Sequence, residues 1–264
     1  MKTITSRDNS LLRQARLARD GKLGDLIFVE GMRLSEEALR SGLSIAAIVV
    51  SDELARKDKA SALIRELEAR TDQSVVVSEK LLESISYTKT PQGIVVLAAR
   101  PETGENHLRE SMTEPALVVV MHRINNPVNV GAILRTAEAA GATGVIATQE
   151  TSDPYSPKSL RGAMGSAFRL PIWHGPTYLT AVAWCKNQGM MTVCADVHAN
   201  SGHDQVDWKK PAALILGPES SGLSQEEIEA ADQSVRIPMK GAAESLNVAV
   251  AAGVLLYEAA RQRG

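Results

Sequence analysis

The chain has 264 residues, long for one domain and comfortable for two. Its 44% hydrophobic and 23% charged residues exclude collagen-like, disordered and membrane-embedded classes, and no apolar run approaches the roughly 18 residues of a bilayer span. With 29 Lys and Arg against 31 Asp and Glu, a net charge of −2 and 3% aromatics, the average composition argues against a nucleic-acid binder and against single-strand readout by stacked rings.

The N-terminus lacks the apolar stretch of a secretory signal. SLLRQARLARDG predicts a helix in which Leu11, Leu12, Ala15 and Ala18 share one face while Arg13, Arg16 and Arg19 share another. Residues 1–24 hold six basic and two acidic side chains, a local net of +4 that the average hides. LIFVEG then reads as a strand, MRLSEEALRSG as a helix stopped by Gly42, and IAAIVVS as a strand. The charged helix SALIRELEAR, the strand SVVVS, the short helix LLESIS and the strand GIVVLAA follow. Strands alternating with helices mean α/β layering. The polar segment RPETGENHLRESMTEP marks a seam whose middle has room for a helical turn, which divides the chain into domains at 1–105 and 106–264.

Beyond the seam, ALVVVM is a strand, HRINNPVN a loop, VGAILRTAEAAG a helix stopped by Gly141, and GVIATQ a strand. DPYSPKSLRGAMGSAF separates these from apolar MTVCADV and AALILG and a short strand, Val235–Met239. Apolar strands with little alternation predict a parallel sheet covered on both faces. SLNVAVAAGVLLYEAARQR closes the chain as a helix that is apolar nearly all round, through Val248, Val250, Ala251, Val254, Leu255 and Leu256. Such a helix is buried in the core or against a second subunit. Cys185 and Cys194 are too few for a disulfide framework and lack CxxC spacing, as expected in a reducing cytosol.

Three segments of the second half are unusual for plain structure. In NNPVNVGAILRTAEAAG a loop presents Asn126 and Asn129, Gly131 permits close approach as the helix starts, and Arg135 follows, either a solvated residue or a functional one. In LILGPESSGLS a strand runs into the turn Gly217–Gly222, at the end of a parallel strand where open α/β sheets hold ligands. In IPMKGAAESLNVAVAAG, Ser245 and Asn247 open the last helix, as N-caps or as part of a pocket. Other chemistries lack their signatures. There is no G-x-G-x-x-G after a strand, no G-x-x-x-x-G-K-[ST] and no G-x-S-x-G. Asp196-Val-His198-Ala-Asn-Ser-Gly-His203-Asp204 lacks metal-site spacing, so no metal is expected, and His107, His122 and His174 read as structural or exposed.

These segments, in this order, resemble the SpoU/TrmH family of SPOUT RNA methyltransferases. The match is N-x-G-x-x-x-R-T-A at Asn129–Ala137, L-G-x-E-x-x-G-L at Leu216–Leu223 and I-P-M-x-G-x-x-x-S-L-N-V at Ile237–Val248. ITSRDNSLLRQARLA, FVEGMRLSEEAL and TPQGIVVLA are similar to the family's ribosomal-protein-like RNA-binding domain. The resemblance implies methyl transfer from S-adenosylmethionine to an RNA ribose 2′-hydroxyl, by a parallel α/β domain with a deep trefoil knot. That fold enters from the resemblance alone, since topology rules would exclude a knot.

Carried over by position, the resemblance implies catalytic or near-catalytic roles for Asn129, Arg135, Glu219, Ser245 and Asn247. It implies cofactor binding by Leu216, Gly217, Ile237, Met239 and Leu246. His122 and Asn126 stand where many relatives carry acids, and Ala249 where serine is common. Arg7, Arg13, Arg16 and Arg19, with Lys158 and Arg161 expected near the site, form the expected RNA footprint. Few aromatics favour recognition of folded RNA by shape, ribose and phosphate, with Tyr87 or Trp173 as candidates to hold one base. The appended first domain points to ribosomal (23S) RNA. Transfer RNA is the alternative substrate, and a non-catalytic ribosome assembly factor the alternative class. The family also implies an obligate homodimer, cytoplasmic and without a membrane partner.

Overall fold

The computed structural model describes residues Met1–Gly264. They divide into two units, Met1–Pro101 with Tyr155–Phe168, and Glu102–Pro154 with Arg169–Gly264. The first unit opens with β1 (Lys2–Ile4), α1 (Ser10–Arg19), β2 (Leu26–Glu30), α2 (Met32–Arg40) and β3 (Ile45–Ser51). It continues with α3 (Asp52–Ala55), α4 (Asp58–Glu68), β4 (Ser74–Val77), α5 (Glu79–Ile85) and β5 (Ile94–Ala99). The strands form one sheet in the order β1-β4-β3-β5-β2. In it β1, β4 and β3 are parallel, while β5 is antiparallel to both its neighbours.

Helix α1 starts where Asn9 accepts the Leu11 N–H at 2.9 Å, and it buries Leu11, Leu12, Ala15 and Ala18 against a core that includes Phe28, Val49 and Leu97. Its arginine face does more than solvate the helix. Arg13 Nε donates to the Asp8 carbonyl at 2.9 Å, Arg16 donates to the Arg7 carbonyl, and Arg19 Nη1 reaches the Ile85 carbonyl at 3.3 Å. Strand β1 is too short to show a periodicity, and it forms by adding to the edge of β4, Thr3 opposite Val76.

The second unit holds α6 (Glu105–Ser111), the helical turn inside the seam, then β6 (Leu117–Met121), α7 (Pro127–Ala139) and β7 (Gly144–Ala147). After α8 (Pro157–Ala163), which groups with the first unit, and α9 (Ser166–Arg169) come β8 (Ile172–His174), α10 (Tyr178–Asn187), β9 (Met191–Ala195) and β10 (Ser201–Gly202). The chain ends with β11 (Ala212–Leu216), α11 (Gln225–Ala230), β12 (Gln233–Arg236) and α12 (Val248–Arg263). The sheet order is β10-β12-β9-β11-β6-β7-β8, and every pair is parallel. Central β6 and β11 are buried at every residue, which accounts for their unbroken apolar runs. Each fully buried Val, Leu or Ile there contributes about 1.5–3 kcal/mol.

Three details depart from the sequence reading. Helix α7 begins at Pro127, because proline fits the first helical turn, so Arg135 lies two turns in and Gly131 lies inside the helix. Strand β12 stops at Arg236, not Met239, and Pro238 beyond it has no N–H for a ladder. Helix α12 is buried on one face only, through Val248, Ala252, Leu255, Leu256 and Ala259, while Val250 and Tyr257 are 53% and 55% exposed. No helix is long and apolar enough to cross a membrane.

Candidate active site

Sheet order explains which loops can meet. Strands β6 and β11 are neighbours, Leu216 pairing with Met121, so the segments leaving their carboxyl ends start side by side. One leads into α7 and the other into the turn that begins at Gly217. Strand β12 lies three places from β6, about 14 Å at the usual strand spacing. The ten residues 237–246 can reach about 33 Å, enough to bring the start of α12 back over α7. The two helices pack together, and a Cβ on Gly253 would touch Thr136 Cγ2 at 3.8 Å.

At this convergence three side chains form a directed chain. Asn129, in the first turn of α7 and 6% exposed, donates through Nδ2 to Glu219 Oε1 at 2.5 Å. Its Oδ1 accepts from Asn247 Nδ2 at 3.4 Å. Asn247 caps α12 through Oδ1, which accepts the Ala249 N–H at 3.0 Å. The donor sense is forced from both ends. A carboxylate only accepts, so Asn129 turns its amide nitrogen to Glu219, and the cap leaves Asn247 only its nitrogen to offer. Asn126 is the other cap, accepting from Val128 N at 3.0 Å.

The flanking loops combine a tight turn with a stretch that lacks backbone partners. A Cβ on Gly217 would lie 2.8 Å from Leu223 Cγ and 3.1 Å from Leu223 N, so only glycine lets the turn close. Gly222 N donates to Pro218 O at 3.0 Å, with Gly222 at φ +65°. From Pro238 to Leu246 no backbone group bonds another backbone group, which leaves these donors and acceptors available. Ile237 and Met239 are half-buried and Leu246 is exposed, a partly apolar lining for such a loop, while Leu216 is buried beneath it.

Arg135 and Ser245 are exposed, and neither makes a side-chain hydrogen bond or ion pair within the chain. Arg135 is six residues beyond Asn129, about 9 Å along α7 and about 120° around it. It shares its stripe with Val128, 47% exposed. Lys158 and Arg161 are exposed on α8, and Arg7 and Arg13 are exposed in the first unit, whereas Arg16 and Arg19 are half-buried as backbone straps.

A second cluster supports the first. His122 is buried, with Nδ1 2.9 Å from Thr148 Oγ1 and Nε2 2.9 Å from Glu227 Oε1. Arg123 donates to both Glu227 oxygens at 2.8 and 3.0 Å, and the Glu227 carboxylate also accepts the Ser224 N–H at 2.8 Å. Glu227 thus ties the end of β6 to α11, the element that follows the Gly217 turn. Burial lowers the His122 pKa below 6.5 despite the opposing pull of Glu227. Burial pushes Glu227 up, but bonds from the Ser224 N–H, His122 and Arg123 outweigh it and hold the carboxyl below its usual value. The Ser224-x-x-Glu227 capping box is visible in sequence. The bonds to His122 and Arg123, across more than a hundred residues, carry no local signal.

The SpoU rRNA Methylase family matches residues 116–257, and an MRM3-like substrate binding domain matches residues 13–96. A 23S rRNA (guanosine(2553)-2'-O)-methyltransferase of Bacillus subtilis is 31% identical over 231 residues, 87% of this chain and 86% of that protein. An AdoMet-bound rRNA methyltransferase from Sinorhizobium meliloti superposes with a TM-score of 0.85 at 31% identity, covering 98% of this chain and 97% of that one. The SpoU methyltransferase AviRb from Streptomyces viridochromogenes, in complex with AdoMet, gives 0.86 at 29% identity, covering 97% and 98%.

Proposed function

The chain belongs to the SpoU rRNA methylase family, and from that premise we propose that Asn129, Glu219 and Asn247 organise an S-adenosylmethionine-dependent methyl transfer to a ribose 2′-hydroxyl of 23S ribosomal RNA. The protein is an RNA ribose-2′-O-methyltransferase of the SPOUT class, whose α/β fold carries a deep trefoil knot. The observation that carries the site is the hydrogen-bonded chain Glu219–Asn129–Asn247, which joins the three motif segments.

The residues present suit the cofactor. The glycine-only turn at Gly217, the unpaired backbone beyond Pro238 and the apolar side chains of Ile237, Met239 and Leu246 fit an adenosine. Leu216, Gly217, Ile237, Met239 and Leu246 would hold it. When bound, S-adenosylmethionine supplies a sulfonium methyl with a good leaving group. The chain's own task is then to align the ribose oxygen and assist its deprotonation. A guanidinium is always protonated, so Arg135 acts by binding the neighbouring phosphate and polarising the 2′-oxygen, with the proton passing to phosphate or water. Asn129 and Asn247 orient ribose and loop, Glu219 fixes the Asn129 amide, and the unpartnered Ser245 hydroxyl contacts substrate or its own loop.

The enzyme acts as a homodimer. The exposed stripe Val250, Val254 and Tyr257 on α12, beside Val128 on α7, is an apolar face with a second copy as its natural cover. Arg135 shares that stripe and so completes the site across the interface. Residues 1–105 bind RNA, with Arg7 and Arg13 as phosphate contacts and Arg16 and Arg19 bracing the helix that bears Arg13, and Lys158 and Arg161 on α8 add to the footprint. Residues 106–264 carry catalysis. Free, buried Cys185 and Cys194 suit a cytoplasmic location.

The test is direct. The purified protein, methyl-labelled S-adenosylmethionine and 23S rRNA from cells lacking the enzyme should give one labelled 2′-O-methyl nucleotide. Absence of label from the ribose would refute the reading.

A further inference from the structure

The first unit holds a cavity of about 710 Å³, in the size range of small-ligand sites, beside the ends of β1 and β4 and along α5. Its floor is aliphatic, formed by Ile4, Val76 and Leu81, all half-buried side chains that present apolar surface to solvent. Arg7 and Lys80 stand at its rim, and neither makes a side-chain hydrogen bond or ion pair within the chain. Of the two lining acids, Asp52 is paired with Arg56 at 3.2 Å, which leaves Glu83 as the free carboxylate. No aromatic ring lines the cavity.

We propose that this cavity receives one unstacked nucleotide of the RNA substrate, with its base on the Ile4–Val76–Leu81 floor and its phosphates at Arg7 and Lys80. An apolar surface for a flat base, two unpaired cations for phosphate and one free carboxylate for a base N–H match the face, the phosphate and the donor edge of a nucleotide. The match to a substrate binding domain over residues 13–96 includes Val76, Lys80, Leu81 and Glu83, so the cavity belongs to the part of the chain that meets RNA. This explains how a chain poor in aromatics can read a single base, by aliphatic packing in place of ring stacking. The inference rests on the RNA methyltransferase reading above and adds a subsite to it.

The full-length enzyme and 23S rRNA from cells lacking it provide the test. Lys80→Ala should raise KM for RNA about fivefold to tenfold and lower the salt slope of binding by about 1. Its KM for S-adenosylmethionine should not change, and Lys80→Arg should restore most of the loss. Leu81→Gln should weaken RNA binding without altering the salt slope, since both cations remain. Its thermal midpoint checks that it is folded. With 4-thiouridine-substituted transcript, irradiation should leave adducts on peptides spanning residues 3–7 or 76–84. Normal RNA KM in Lys80→Ala, or adducts only elsewhere while wild type methylates the RNA, would overturn the subsite and leave the methyltransferase reading standing. A wild type that does not methylate the RNA would overturn both.

Discussion

Asn247 has two separable duties, and one substitution divides them. Asn247→Asp keeps the shape and the cap, because aspartate accepts from Ala249 N–H as well as asparagine does. It replaces the only nitrogen facing Asn129 Oδ1 with an oxygen. Asn129 can then hold its orientation, leaving its carbonyl opposed to a carboxylate, or flip, which sets that carbonyl against Glu219. Either arrangement leaves one oxygen–oxygen contact at a buried side chain and costs about 1–3 kcal/mol, by analogy with an unsatisfied buried group. If that cost falls on the organised site, kcat/KM drops about 5- to 150-fold, while global stability stays within about 0.5 kcal/mol. Asn247→Ala also loses the cap, worth about 1 kcal/mol, and should lower Tm by about 2–4 °C. Initial rates of methyl transfer and thermal melts of both variants separate the duties. An Asn247→Asp enzyme within about twofold of wild-type turnover would refute the directed chain as a catalytic element.

Arg135→Lys should lose far more turnover than S-adenosylmethionine affinity, since an ammonium cannot hold phosphate and hydroxyl in one planar fork; near-normal kcat would remove Arg135 from the chemistry. Gly217→Ala should weaken cofactor binding at least about tenfold by calorimetry, because the added methyl meets Leu223 side chain and backbone at 2.8–3.1 Å. His122 and Glu227 both have lowered pKa values when folded, so the unfolded chain binds more protons and their stabilisation is lost on acidification. The His122 part is complete above 6.5 and fades below it, and the Glu227 part is complete above 4.5 and fades below that. Melts from about pH 8 to about pH 2 should therefore slope downward, and Glu227→Gln should flatten the limb below 4.5; parallel curves there would exclude the cluster as the cause. Val254→Glu should convert a dimer to monomers by light scattering and abolish turnover, and an active monomer would reject a site shared between subunits.

The features that depend on neighbours along the chain were legible without a fold. The unbroken apolar runs of β6 and β11, the arginine and leucine faces of α1, and the glycine turn after Leu216 follow from periodicity and backbone sterics over a few residues. The order of the three motif segments also pointed to the family and to the residues worth testing. Net charge did not, because an average of −2 conceals a leading segment of +4.

Other features needed the tertiary structure. Asn247 reads equally as a cap or as a candidate site residue, and the fold gives it two contacts at once, since its oxygen caps α12 while its nitrogen faces Asn129. Arg16 and Arg19 look like solvated charges until their backbone partners appear. Glu219 meets Asn129, and Glu227 meets His122, across 90 and 105 residues. Those meetings depend on β11 adding beside β6 in the sheet, a long-range choice. Helix periodicity and capping are set within one or two turns of chain, whereas strand order is decided by how whole elements bury their apolar faces. The sequence by itself therefore determined the elements and the identity of the candidate side chains; the sheet order and the packing of α12 on α7 decided which of them touch.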